Sequence, residues 1–525
     1  LHIKRSGRSL YQTINSRTQR MVDSINTAFA SRGAPVKAVH CASLWRLQWD
    51  DNVRNISLFY YLARFKGLHL YEQFGHFVTE AMTDADCDRI ADTFLQVMDE
   101  LIRLGFIAPR TTPPSITESG SATTRTSTTP ALTSSALTPG QTERWLAAIY
   151  DPAARTALNE SFCVTLKGDV DLQALKQALR DVLERHDAFR LRFDLDQPMQ
   201  IIDPSAQVPI DEVDLRAWSD SEQALDQHGW QAAAIEFPLD QAPLARASIL
   251  RLADGRVVVH LVASHLIFDG WASSVFNTEL AQAYQARRMG HAHAWAEAES
   301  PLSFANTEHA RFEQDDGRSS ARHWSEVLQA LPTPISLGDK TPVGLRAFSG
   351  NTVRARLDGD RLTHLRAQAK SQGATLFQWL LQSVAELICQ ESGQRDMVLS
   401  IPFAAQSLQR HGPLVADGVL DLPIRLQVKD GEALADRVRR TKAALMDAME
   451  FPLMTQGTAA RALGLQAEGS KPPLTSIYFN LNPKVDLSGW APLQASMHEG
   501  RKRGLLSEVF FNFYEQSDAL TLDLH

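Results

Sequence analysis

Apolar side chains recur at intervals of three and four over residues 10–33, a helical period closed by Gly33. Strand-like alternation follows over 36–49, and helical spacing returns over 55–67 and 84–105. This pattern predicts a small α/β layer over residues 1–108, with no catalytic cluster of its own. Residues 109–136 break it, being rich in Ser, Thr and Pro and almost without large apolar side chains. Such a segment cannot offset its ordering entropy, so a flexible tether is expected. Beyond it, helical periods fall at 140–150, 172–185, 219–234, 271–286, 318–331, 359–371, 376–391 and 431–449. Strand-like runs fall at 161–166, 189–194, 245–252, 256–263, 352–357, 397–401, 418–428, 475–480 and 507–514. Mixed elements over 137–525 predict two α/β lobes, about 137–315 and 316–525, with a cleft between them as the place for a site.

Composition narrows the function classes. The 525 residues are 44% apolar and 22% charged, ordinary for a globular protein. A formal net charge of -8 argues against a nucleic-acid groove, which needs Lys and Arg in excess. No apolar run reaches the length that crosses a bilayer, and residues 1–30 lack the apolar core of a signal peptide, so no membrane partner and a cytoplasmic location are expected. Cys41, Cys87, Cys163 and Cys389 lie far apart with no metal-ligand spacing, and are expected to be reduced, mostly buried thiols. A first residue of Leu1 and a last one, His525, inside a strand-like run suggest a piece of a longer protein.

The chemistry concentrates at 264–270, Ser-His-Leu-Ile-Phe-Asp-Gly, directly after the strand-like run 256–263. Histidine is the side chain whose unperturbed pKa lies near cellular pH, which makes His265 the first candidate base. Asp269 either accepts from that ring or pairs with an arginine to brace the loop, and the sequence leaves both open. Gly270 can adopt backbone angles closed to other residues and opens the helical stretch 271–286. By itself this spacing is a weak signal.

Several ordered motifs strengthen it: LTPGQTERWL (137–146) with Gln141 and Arg144, ERHDAFRLRF (184–193) with Arg185, His186, Phe189 and Arg190, and ASHLIFDGWAS (263–273). IPFAAQ (401–406), DGVLDLPIRL (417–426), EFPL (450–453) and SIYFNLNP (476–483) follow in order. With these, the chain from Leu137 onward resembles the condensation domain of nonribosomal peptide synthetases, a member of the chloramphenicol-acetyltransferase-like fold group. Two departures stand out. The family's first motif histidine is Ser264 here, its second being His265, and Asp421 stands where the family usually has Asn. Residues 1–108, best over 39–98, resemble the C-terminal end of a class III, glutamate-1-semialdehyde aminomutase-type aminotransferase.

These resemblances imply an acyltransferase with two chloramphenicol-acetyltransferase-like lobes around a central tunnel, preceded by a small α/β aminotransferase remnant. The implied reaction joins a carrier-bound acyl thioester, a β-amino acyl chain included, to a carrier-bound aminoacyl amine in a peptide or hybrid polyketide/peptide synthetase. Substrates would ride on phosphopantetheine of upstream and downstream carrier proteins, with aminotransferase and adenylation domains in the same polypeptide. No cofactor is implied for this fragment, since the lysine that binds pyridoxal phosphate belongs far upstream. His265 would remove the ammonium proton or orient the amine. Asp269 would brace the loop through Arg190, and Gly270 would offer an N–H to the oxyanion. Asn480 is a candidate at the tunnel wall, with Arg185 and Ser264 in support. His186, Trp145, Phe189 and Trp271 are expected to pack. A non-catalytic member that docks carrier proteins is the alternative. Ser264 argues against heterocyclisation, and IPFAAQ lacks the epimerisation motif.

Overall fold

The computed structural model describes residues 2–50, 53, 56–68, 70, 76–104, 106–107, 133–332, 334–335, 337, 348–408, 412–465, 474–516 and 519–525. The chain separates into two compact units, Leu1–Ser127 and Thr128–His525. The first holds α1 (His2–Ser31), β1 (Val36–Cys41), β2 (Leu44–Trp49), α2 (Ile56–Phe65), β3 (His76–Phe77) and α3 (Asp84–Arg103). Gly33, at φ 62°, ends α1 in the left-handed conformation that glycine adopts at low cost. Thr83 and Asp86 start α3 with a reciprocal capping box. Phe29, Phe59 and Phe94 join the helices in an aromatic core, with Trp45 of the antiparallel β1–β2 pair against them. Of the tether expected over 109–136, residues 109–132 lie outside the described residues, as do 69 and 71–75 of the aminotransferase-like run.

The second unit opens with β4 (Ser134–Ala136), α4 (Pro139–Tyr150), α5 (Ala153–Ala157), β5 (Asn159–Lys167), α6 (Leu172–Arg185), β6 (Leu191–Phe193), β7 (Met199–Ile202), β8 (Ile210–Leu215) and α7 (Ser221–Ala233). It continues with β9 (Ala245–Leu252), β10 (Val257–Ser264), α8 (Gly270–Arg288), α9 (Pro301–Glu313), α10 (Asp315–Val327), β11 (Val353–Asp358), α11 (Gly359–Ser371) and α12 (Leu376–Ser392). The last elements are β12 (Asp396–Ala404), β13 (Val419–Gln427), α13 (Leu434–Glu450), α14 (Gln456–Ala462), β14 (Ile477–Asn482), β15 (Gln494–Glu499), β16 (Val509–Glu515) and β17 (Ala519–Leu524).

Two large sheets organise the unit. One runs β15-β5-β10-β9-β8, the other β11-β17-β16-β14-β12-β13. β10 lies centrally in the first and is buried along its whole length, which explains its nearly unbroken apolar run. Packing beside it are α6 and α8, through Leu175, Leu179, Val182, Phe276, Leu280 and Tyr284. β15 comes from the later half of the chain yet pairs antiparallel with β5, so the first sheet is not built from 137–315 alone. Three residues expected in the tether are strand instead: β4 pairs with β7, where Gln200 donates to Ser135 Oγ. The run 189–194 is a short 3-10 turn (Asp187–Arg190) before β6 rather than continuous strand. Of the cysteines, Cys87 and Cys163 are buried, Cys389 is half-buried and Cys41 is exposed, so burial is less general than expected. Among the described residues, no helix is long and apolar enough to cross a membrane.

Helix α4 carries the first motif close against β13. A Cβ on Gly140 would sit 2.2 Å from the Val419 carbonyl oxygen, so only glycine allows this approach. Gly140→Ala is therefore expected to lower stability by about 1–3 kcal/mol, the usual cost of overpacking, read as a drop in denaturant midpoint without a change in slope.

Candidate functional site

The turn after β10 is held by backbone and by the first motif. Ser264 N donates to Leu244 O (2.9 Å), His265 N to Leu158 O (2.6 Å) and Ile267 N to Ser264 O (3.0 Å). Gln141, third residue of the capping box that begins α4, also sends Nε2 to the Leu266 carbonyl at 2.8 Å. One glutamine thus starts a helix and fixes the turn that carries His265.

Asp269 closes the turn as the N-cap of α8. Its Oδ1 accepts from Ala272 N at 2.8 Å, and its Oδ2 accepts from Gln406 Nε2 (2.7 Å) and Gly418 N (3.0 Å). Those last two donors flank the β12–β13 connection, so the carboxylate ties the first sheet's turn to the second sheet. Burial, then nearby Asp417, raises the Asp269 pKa despite the three donors. The expected Asp269–Arg190 salt bridge is absent. Arg190 pairs with Asp187 three residues away, a local partner that keeps it from the turn.

The His265 ring lies between two carboxylates. Nδ1 is 3.5 Å from Asp417 Oδ1, and Nε2 is 3.9 Å from Glu160 Oε1. About a fifth of the side chain reaches solvent, 21%, whereas Asp417 is fully enclosed. Register explains Glu160: β5 runs antiparallel to β10 with Ala263 opposite Glu160, which puts that side chain at the end of β10 where His265 begins its turn. Asp417 arrives from the β12–β13 connection. Arg144 of α4 stands behind it, 3.5 Å from Asp417 and 3.1 Å from Asp421 Oδ2. Lys502 donates to both Glu160 oxygens, at 2.8 and 3.0 Å.

These charges set one another. Burial and Arg144 push the His265 pKa down, but Asp417 and Glu160 outweigh them and leave it raised. Asp417 is opposed by burial yet held below its ordinary value by Arg144 and then His265. Glu160 is likewise opposed by burial and lowered by Lys502 and then His265. Burial raises Asp421 in spite of Arg144. Glu308, buried with no hydrogen bond to either oxygen, is raised to about 8, by burial first and then by Asp417.

A cleft of about 710 Å³ opens beside the ring. Glu160, Met497 and Glu499 of the first sheet and Phe268, Asp269 and Gly270 after its β10 line it on one side, and Asn482 and Tyr514 of the second sheet on the other. Gly270 is exposed at the rim, and an added Cβ there would meet nothing within 4 Å. Its backbone is not left-handed, so what this glycine leaves is open space rather than special torsion. His265 faces the cleft through Glu160 and does not itself form the wall. Asn480 is also off that wall, donating to Asn482 Oδ1 at 3.1 Å. Ser264 is buried, its Oγ 3.4 Å from Leu266 N.

Other sequence candidates serve packing. Arg185 Nε meets both Glu279 oxygens at 3.1 Å, and His186 Nε2 meets Oε2 at 2.7 Å, pinning α6 to α8 away from His265. Trp145 and Phe189 are buried, but Trp271 is 39% exposed, since it follows Gly270 on the rim side of α8. A buried Ser–His contact, Ser161 Oγ to His260 Nε2 at 2.7 Å, is a poor catalytic pair: burial, with His228 and His498, drops the imidazole to about 3. Sequence reasoning missed Glu160, Asp417 and Lys502. Asp417 opens the fifth motif, DGVLDLPIRL, while Glu160 and Lys502 lie in no motif at all.

The fold is that of solved condensation domains. Similar structures include the first condensation domain of the CDA synthetase (TM-score 0.66, 22% identity, covering 74% of this chain and 90% of that one). A starter condensation domain of rhizomide synthetase RzmA is also similar (TM-score 0.65, 20% identity, 75% of this chain and 88% of that one). Residues 132–513 match the family described as the condensation domain, and the chain belongs to it. Curated relatives include a linear gramicidin synthase polypeptide of Brevibacillus parabrevis, 28% identical over 331 residues, 60% of this chain and 4% of that protein. Chondramide synthase cmdD of Chondromyces crocatus is 27% identical over 349 residues, 65% of this chain and 9% of that protein. The chain thus spans a small part of each.

Two carboxylates beside one imidazole have a direct consequence in solution. His265 is expected to titrate above 6.5, and Asp417→Asn, by removing a negative neighbour, is expected to bring the midpoint down, as read from its ring resonances in NMR.

Proposed function

We propose that this domain forms amide bonds in nonribosomal peptide synthesis, transferring an acyl group from one carrier-bound thioester to the amine of a second carrier-bound aminoacyl group. The observation that supports this most is His265, part-exposed beside a cleft between two sheets and held by residues of the first, third and fifth motifs. The acceptor ammonium must lose a proton before its nitrogen attacks. The C–N bond then forms as the C–S bond breaks, one proton ending on the departing thiol and the other passing through the imidazole to solvent. Asp417 beside Nδ1 favours a proton on that nitrogen and leaves Nε2 to accept. Only the unprotonated ring can serve, so the raised pKa makes His265 a stronger base that is available over a narrower range toward acid.

The cleft beside Gly270 is assigned to one arm of a tunnel that admits both phosphopantetheine chains. Holding two tethered substrates end to end contributes more than the base does. Lobes of about 137–315 and 316–525, the second lending β15 to the first, give that tunnel its walls. Asp269 acts in this reading as a brace rather than as a reacting group, and the Gly270 N–H faces the developing oxyanion.

For the first unit we infer a remnant of a class III aminotransferase, a reading supported by the residues of 39–98 and by a helix, antiparallel strands and helix in that order. With it go a hybrid synthetase, carrier and adenylation domains as neighbours in one polypeptide, and a cytoplasmic setting. Pyridoxal phosphate chemistry needs a lysine that the resemblance places upstream of these residues, and no step here runs through it.

His265→Ala is expected to lower the rate of peptide-bond formation between loaded carriers about 10²- to 10⁴-fold, the usual share of a positioned base. Single-turnover assays with both carriers loaded check this, and unchanged turnover would favour the docking role instead.

A further inference from the structure

Glu160 lines the cleft, lies in none of the sequence motifs, and has its charge answered within the protein by Lys502. Its Oε1 and the His265 Nε2 lie 3.9 Å apart, too far for a hydrogen bond between them. A third atom about 2.8 Å from each would complete two charge-assisted bonds, subtending about 90°, about 20° less than the tetrahedral spread of N–H bonds on an ammonium and within the bend such bonds tolerate. Carbonyl and thioester groups do not fit that gap, because they bring no donor to the carboxylate.

We propose that Glu160 seats the acceptor amine, its Oε1 and His265 Nε2 holding the ammonium nitrogen between them at the edge of the cleft. This rests on His265 being the base of amide formation. Among the described residues, the titratable groups facing Glu160 include Lys502 from the loop after β15, His265 from the turn after β10, Arg144 from α4, Glu499 from β15, Tyr514 from β16 and His525. Lys502, only 8% exposed, bonds both carboxylate oxygens from behind. It keeps Glu160 ionised when the cleft is empty and leaves its open side to the substrate. When the ammonium gives one proton to Nε2, the remaining N–H groups still point to Glu160, so the nitrogen lone pair is held in one direction. The donor thioester, which carries no positive charge, gains nothing from this residue.

The test is Glu160→Gln assayed with two soluble acceptors: an aminoacyl pantetheine thioester, and its aminooxy analogue, which is uncharged near neutral pH. Loss of one ammonium–carboxylate bond is expected to raise KM for the amine about tenfold or more and to change the aminooxy analogue no more than about twofold. Because Glu160→Gln leaves Lys502 buried without its partner, the double variant Glu160→Gln/Lys502→Met is measured alongside, with the same selective loss expected. Equal changes for both acceptors, or none in either variant, would overturn the assignment. The two readings fail separately. An active His265→Ala removes the base, whereas an inactive His265→Ala with an unselective Glu160→Gln removes only the ammonium seat.

Discussion

A carboxylate taken out of water must find donors, and the way Asp269 finds them organises the site. Only 2% exposed, it satisfies one oxygen at the start of its own helix and the other on two groups at the ends of the β12–β13 connection of the second sheet. The turn bearing His265 therefore cannot be set by β10 and α8 alone. It is set by where Gln406 and Gly418 lie, that is, by the docking of the second sheet. Gly418 is bound to this arrangement sterically as well, since a Cβ there would fall 2.4 Å from the Gln406 side chain.

The imidazole is tuned by pairs rather than by one partner. Arg144 with Asp417 and Asp421, and Lys502 with Glu160, form three ion pairs of low exposure in two groups on either side of the ring. Buried pairs of this kind add little net stability compared with apolar residues of the same shape, but breaking one is costly. Asp421, where the family usually has Asn, extends the Arg144 pair, so the extra charge is answered by a cation instead of facing the cleft bare. Ser264, in the place of the first motif histidine, is buried and ends its strand without reaching the ring of His265.

Much of the fold could be read along the chain because its helices carry strong periods and explicit caps, as at Thr138, Asp171, Asp269 and Thr375. Edge strands were harder. β8 and β15 show mixed burial and few apolar residues, and nothing local announces that β15 leaves its neighbours to pair with β5. At the site, His265, Asp269 and Gly270 stood out as a motif, yet Asp269's partners did not, because an arginine and a glutamine next to a backbone N–H are indistinguishable as answers to a buried carboxylate until the sheets are docked. Glu160 and Lys502 come from opposite ends of the unit, and only strand register brings the first of them to the end of β10.

β15 also shapes how the domain is made. In the finished sheet β5 is flanked by β10 and β15, so until residues 494–499 have been synthesised the outer side of β5 is a bare row of amides and carbonyls. At ordinary translation speeds that interval lasts on the order of tens of seconds on the ribosome. The nascent domain must pass it without recruiting a stray strand. The late arrival of β15 means the first sheet cannot close until more than three hundred residues beyond β5 have been made, and it ties completion of the cleft wall beside Glu160 to a strand from the second half of the domain.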